Sequence, residues 1–481
     1  MAVVENLLPT NQSKSKAPDN TGAVADLHQG SADFAKNRSH TIVNIIAAVG
    51  DGDIIFLRQL VHGLHPADIA SLLADMPETA ARTFIRLIGE ELDSEVFAEL
   101  DEDTKELVLE VLPTKAVARA LEDLDSDDAV AFIEELDEDE RREVLAQTSD
   151  EVRASIEGGL SFEEDTAGRL MQREFVAAPE FWNVGRTIDH MRATGEELPD
   201  LFFEIYVVDP AFRPIGAVAV SKLMRAPRNE PLKGLMENIH VIIRPENDQE
   251  DVAYSFQKYH LISAPVVDEG GRLTGMITVD DMVQVLQEEN QEDLLALAGV
   301  SDASTTDDVW SSMVARLPWL IINLATALTS SFFISKFSGL ISQIVALAVL
   351  MPMVASLGGN AGTQTLAVAV RALSARELNR NNAMKVVWRE AMTGVLNGLV
   401  IAAVLATVAG IWFHNPTISL TIGLAVTMNF VAAGLAGILV PLTLEKIGQD
   451  PAVASGVIVT FVTDMVGFVA FLGLATLIVS Q

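Results

Sequence analysis

Five apolar stretches, residues 317–338, 340–373, 384–413, 418–445 and 453–480, fill the last third of the chain. Each exceeds the ~20 residues that an α-helix needs to cross the hydrocarbon core. Residues 317–481 are therefore expected to form an all-α membrane domain of five helices, with the lipid bilayer as partner. From Trp310 onward there are eight Lys/Arg against five Asp/Glu, a net +3, whereas the whole chain carries −34, so residues 1–309 hold −37. So acidic a half suits cations and is a poor partner for nucleic acid, so no nucleic-acid partner is expected. Basic residues near span ends mark the cytoplasmic side. Arg371, Arg376, Arg380, Lys385 and Arg389 cluster between the second and third spans, with Arg316 and Lys446 on the same side. That places the N-terminus in the cytoplasm and, after an odd number of spans, the C-terminus outside.

Two polar marks interrupt the apolar spans. In the second, Gly358-Gly359-Asn360-Ala361-Gly362-Thr363-Gln364 sets Asn360, Thr363 and Gln364 at i, i+3, i+4, a single helical face. In the fifth, Thr460, Thr463, Asp464 and Gly467 follow the same spacing. Asp464 has no Lys or Arg within its own span, and an ionisable group near the midplane costs ~2.5–3.5 kcal/mol on insertion scales. A chain that keeps such a group is expected to turn it toward water or a bound ion. Asp464 and Asn360 are thus the candidate pore cation ligands, and Gly358, Gly359, Thr363, Gln364, Thr460 and Thr463 the candidate pore lining. The glycines also suit close helix packing of the small-xxx-small kind.

The acidic half divides in two. Residues 1–40 are polar, without the apolar core of a secretory signal, and read as a disordered tail. From 41 to 161 an apolar residue recurs every twelve positions: Leu64, Met76, Ile88, Leu100, Leu112, Leu124 and Leu136. A helix of about eight residues plus a turn fits this spacing, and helices so short must bury their faces on neighbours. The expected object is a small α-solenoid. Its acidic turns (Asp125, Asp127 and Asp128, for example) serve as helix N-caps or as cation sensors.

Residues 162–280 hold an α/β unit twice, offset by 59 positions. Phe203–Asp209 and the run to Gly216 match Ile262–Asp268 and the run to Gly275. Each copy predicts a β-branched strand, a turn, a second strand (Ala217–Val220; Met276–Val279) and a helix capped by Ser221 or Asp280. This duplication resembles a tandem pair of cystathionine-β-synthase (CBS) domains. Such pairs elsewhere take adenine nucleotides or metals as regulatory inputs. The next segment, 281–316, opens on an acidic connecting helix in which Asp281, Glu288 and Glu292 share a face. Glu288/Glu292 and Glu289/Asp293 are like-charged i, i+4 pairs. Clusters of oxygen ligands alone suit Mg²⁺ or Ca²⁺.

The order of helical acidic domain, CBS pair, connecting helix and five spans resembles the MgtE family of magnesium channels over about 41–481. The most specific residues are Gly358–Gln364 with Arg371, Asp450–Gly456, and Thr463-Asp464. The resemblance implies a Mg²⁺-selective channel, a homodimer with its pore at the two-fold axis, lined mainly by the second and fifth spans. It also implies closure by cytoplasmic Mg²⁺ on sensor acids matching Asp248, Glu250, Asp281, Glu289, Glu292, Asp293 and Asp450, and it admits ATP or another adenine nucleotide in the CBS pair. His260 and Gln284 stand where the family commonly has Asp. The competing readings are a carrier for Mn²⁺, Co²⁺ or Ca²⁺, or a proton-coupled carrier. An enzyme is not expected, since no P-loop, G-x-S-x-G or H-E-x-x-H occurs. With no cysteine, disulfides and thiolate metal sites are excluded.

Overall fold

The computed structural model describes residues 29–300 and 309–479, apart from 196–197, 200 and 379–381. Two compact units meet in the sequence at Asp281/Met282.

The first unit opens with a helix, Gln29–Asp51, which begins inside the segment expected to be a disordered tail; residues 1–28 of that tail lie outside the described residues. Short helices then follow in series: Ile54–Val61, Pro66–Asp75, Glu78–Ile88, Glu95–Ala98, Glu102–Val111, Thr114–Asp123, Ser126–Glu134, Glu138–Leu145 and Asp150–Leu160. The twelve-residue repeat explains their ends. Met76, Leu112 and Leu124 are C-cap residues in extended conformation. Met76, Ile88, Leu100, Leu112 and Leu136 are buried in one core, with Leu64 and Leu124 packed against it. Each buried side chain of this size contributes ~1.5–3 kcal/mol, so every turn is held at its apolar stop. Asp53, Asp101 and Asp137 start the following helices by accepting from backbone N–H groups.

The duplication appears as two hairpins of identical register. Strands β1 (Ala177–Pro179), β2 (Glu204–Val208) and β3 (Pro214–Ala219) form one sheet, β4 (Ser263–Val267) and β5 (Leu273–Thr278) a second. Glu204 pairs with Ala219 as Ser263 pairs with Thr278, and both ladders shift register at the same step, Val207/Val208 and Val266/Val267. The copies meet through equivalent positions: Tyr206 Oη donates to Ser263 Oγ at 2.9 Å, and Ser263 Oγ donates to Glu204 Oε2 at 3.0 Å. The helices that follow begin at Val220 and Val279, one residue ahead of the expected caps. Asp281, rather than Asp280, closes the second: its Oδ2 accepts from the Thr278 hydroxyl at 2.7 Å, because the strand runs into the helix without a free N-cap position.

In the second unit the connecting helix, Val279–Ala298, runs on from the first. Among the described residues five helices are long and apolar enough to span a membrane: Ser312–Ser335, Val345–Ser374, Ala383–Phe413, Pro416–Lys446 and Ser455–Ile478. Residues 340–344, expected in the second span, belong to a separate short helix, Ser338–Gln343, and its C-cap Ile344. The fourth span is the most buried, and the second, third and fifth pack around it. The first contacts chiefly the fifth and leaves most of its surface open.

Candidate ion path and acidic clusters

The second span presents an exposed polar stripe: Ser356, Asn360, Thr363, Gln364 and Arg371 are all open on the surface of the chain. Lipid would not solvate such a stripe, so it requires water or another protein surface. On the fifth span Thr460 is exposed and Asp464 half-buried. The span starts at Ser455 rather than 453, which puts Asp464 nine residues in, about 14 Å at 1.5 Å per residue. The hydroxyls of Thr363 and Thr460 bond back to Gly359 O and Gly456 O, one turn earlier in their own helices. Among the described residues no Lys or Arg forms an ion pair with Asp464.

The residues expected to line one path divide between two faces. Asn360, Thr363, Gln364, Thr460 and Asp464 retain exposure, and Gly359 has open space where a Cβ would lie. Gly358 and Thr463, expected in the same lining, do not share that exposure: both are buried within the chain. A Cβ on Gly358 would collide with Asn429 of the fourth span, and Thr463, fully buried, packs beside Gly362. A set at i, i+3, i+4 covers a broad arc, and here the edge of each arc is taken up by a neighbouring helix. The small-residue packing reading therefore holds for Gly358 and Gly362.

The sensor acids fall into three groups. Asp248 caps the helix Gln249–Tyr259 by accepting from Glu250 N at 2.8 Å, and both acids are exposed. His260 ends that helix in the left-handed conformation, at φ 54°.

Asp281 belongs to a second group with Asp127 and Asp128, two of the turn acids of the helical domain that the sequence leaves open between N-cap and cation sensor. Burial, with repulsion from Asp280 and Asp128, pushes the Asp281 carboxyl up to about 7 against the bonds from Thr278. Asp128 is pushed up to about 6 by burial and by Glu99, Asp280 and Glu95, against the Lys105 ammonium. Asp127 is raised well above the carboxylate range by burial and by Asp281, Asp128 and Asp125. The domain edge that carries them is fastened nearby: Ser126 Oγ donates to Glu174 at 2.8 Å and accepts from Arg173 N at 2.8 Å.

The third group sits where the connecting helix meets the loop between the fourth and fifth spans. Asp293 accepts from Ser374 Oγ at 3.0 Å, and its carboxyl is raised by burial and by Asp450. Asp450 caps its own loop through Ala452 N at 2.8 Å. Ala296 and Leu297 pack beside Leu366, Val370 and Ala452. Of the remaining acids, Glu289 is half-buried and Glu292 exposed on the connecting helix, and Gln284 Nε2 donates to Glu288 at 2.9 Å.

Among the described residues no three of His, Asp or Glu converge to form a metal cage. The acids stand in pairs and small open groups. Mg²⁺ sheds its water reluctantly and is commonly held by one or two carboxylates, so pairs of this kind fit it better than the six- to eight-oxygen shell of Ca²⁺.

Family models match in three places: a divalent cation transporter domain, MgtE, over residues 351–474, the MgtE intracellular N domain over 64–165, and a CBS domain over 232–288, the second copy only. A magnesium transporter MgtE of Enterococcus faecalis is 31% identical over 318 residues, covering 66% of this chain and 70% of that protein. This chain belongs to the MgtE family. Its Bacillus subtilis relative, also a magnesium transporter MgtE, is 29% identical over 90% of this chain and 96% of its own length. The Thermus thermophilus magnesium transporter MgtE is 29% identical over 91% and 98%. Among solved structures, the cytosolic domain of the Mg²⁺ channel MgtE in complex with ATP is similar at 29% identity and a TM-score of 0.48, covering 51% of this chain and 99% of that one. As a family member with five apolar helices, this chain is a multi-pass membrane protein.

Proposed function

We propose that this MgtE family member is a Mg²⁺ channel that closes when cytoplasmic Mg²⁺ binds its acidic domains. Asp464 carries the reading: a half-buried carboxylate at membrane depth, without a paired cation among the described residues and in a span otherwise free of charge. The exposed stripe at Asn360 and Gln364 supports a homodimer, in which two stripes and two Asp464 carboxylates would line one water-filled path. A hydrated Mg²⁺ between two carboxylates keeps most of its shell, as that ion prefers. The N-terminus lies in the cytoplasm and the C-terminus outside, by the basic residues between the second and third spans; of these, Arg380 lies outside the described residues.

Gating follows from charge. With Mg²⁺ scarce, like charges at Asp127, Asp128 and Asp281, and at Asp293 and Asp450, repel and favour the open state. Bound Mg²⁺ removes that repulsion, and it shifts the equilibrium only by its differential affinity for the two states. Asp248, Glu250, Glu289 and Glu292 supply further carboxylates, and several weak sites together give a steep response. An adenine nucleotide in the CBS pair rests on the family resemblance alone, and titration of the purified protein with ATP tests it.

Flux into liposomes tests the main reading. Mg²⁺ entry that is independent of a pH gradient and absent in Asp464→Ala is expected. Uptake driven only by a proton gradient would make the protein a coupled carrier, and preference for Mn²⁺, Co²⁺ or Ca²⁺ would reassign the ion.

A further inference from the structure

Asn429 is the sole carboxamide of the fourth span and has no exposed surface. Its Nδ2 donates to Val354 O of the second span at 2.9 Å, the carbonyl that in a continuous helix also receives the Gly358 N–H. A Cβ on Gly358 would fall 2.0 Å from that Nδ2, and one on Gly467 of the fifth span 2.7 Å from it. The amide thus fills a slot between the second and fifth spans that is open only because both walls are glycine. Its Oδ1 meets no donor among the described residues. A buried acceptor left unsatisfied carries a desolvation cost that an apolar side chain of similar volume would avoid. Filling space therefore does not account for an amide at this position.

What the slot adjoins gives the reason. Gly358 lies two residues before Asn360, and Gly467 one helical turn after Asp464. We propose that Asn429 is a positioning residue for the ion path: its amide fixes the spacing and rotation of the second and fifth spans where Asn360 and Asp464 face the cation. The inference rests on the reading of those two residues as pore ligands. Being neutral, Asn429 does this without competing for the ion.

The test uses the full chain in liposomes. Asn429→Leu keeps the branching and number of heavy atoms and removes the hydrogen bond. It should insert and melt like the parent, lose about tenfold in Mg²⁺ flux, and discriminate less between Mg²⁺ and Co²⁺. Gly358→Ala pushes a methyl into the amide and should lower both the melting temperature and the flux. The double variant Gly358→Ala/Asn429→Ala relieves that collision, so it should recover folding without recovering flux or selectivity. Because the chain has no cysteine, Ser356→Cys and Thr460→Cys can carry a spin-label pair that reports the spacing of the two spans without any flux. In Asn429→Leu the label distances should broaden. Parental flux, selectivity and label distances in Asn429→Leu would overturn the proposal, as would a double variant that regains flux and selectivity together. A parent that passes no Mg²⁺ while Asn429→Leu broadens the distances would sink the channel reading and retain the positioning role.

Discussion

Polar side chains obey opposite rules in the two halves of this molecule. In the acidic N-terminal half several acids have an ordinary duty: Asp53, Asp101, Asp137 and Asp248 cap helices, and Glu91, Glu110 and Glu135 pair with Arg58, Arg82 and Lys105. The exceptions are those crowded together, Asp127, Asp128 and Asp281, where burial and mutual repulsion raise proton affinity. In the membrane half many hydroxyls are satisfied within their own helices, as at Thr363, Thr407, Thr421 and Thr460. There the exception is solitude, a carboxylate at Asp464 without a paired cation among the described residues. A polar group thus stands out by company in water and by isolation in lipid.

If isolation matters most, Asp464→Ala should lower Mg²⁺ flux by about a hundredfold or more, since conduction needs a site attractive enough for the ion to enter; growth of a Mg²⁺-transport-deficient host on low Mg²⁺ gives the same answer. Near-parental growth would break the contrast. If crowding matters, Asp127→Asn or Asp281→Asn should raise the Mg²⁺ concentration for half-closure by about fivefold or more, read from flux at graded internal Mg²⁺, with the open-state rate unchanged.

The same cluster sets a pH dependence of stability. An acid whose folded pKa is raised holds its proton more tightly in the folded state, so its stabilising effect is lost as pH rises through the folded value. For Asp128 and Asp281 that window runs from the ordinary 3.8 to about 6 and about 7. In divalent-free buffer the N-terminal unit of the full chain should melt at a lower temperature at pH 8 than at pH 5. Asp281→Asn should flatten the slope relative to the parent, and a variant with the parental slope would show that the acids are not in contact. The smallest effect is expected where polar groups are simply paired: Tyr206→Phe removes one buried hydrogen bond between the CBS copies and should cost ~1 kcal/mol, a shift of a few degrees with flux intact.

Much of this was legible in the sequence because it rests on periodicity. The apolar stops from Leu64 to Leu136, the doubled hairpin and the five spans each repeat a local rule that needs no knowledge of distant contacts. The orientation of individual side chains did not follow. Thr463 shares a helical spacing with Asp464 yet faces the second span, because the neighbour that covers it comes from a glycine far away in sequence. For Asp127 and Asp128 the sequence leaves N-cap and cation sensor both open, since the partner that makes them unusual, Asp281, belongs to another domain. Asn429 lies in an apolar run, where a lone carboxamide is the only signal of its role; its partner is a backbone carbonyl 75 residues earlier, and nothing in a backbone group is written in residue type.

The repeating stops of the helical domain carry an evolutionary consequence. Since each turn closes on its own buried anchor, whole steps of twelve residues can be gained or lost while every remaining anchor keeps its seat. Insertions of any other length would strand an apolar stop in solvent, so natural variation in the length of this arm should come in quanta.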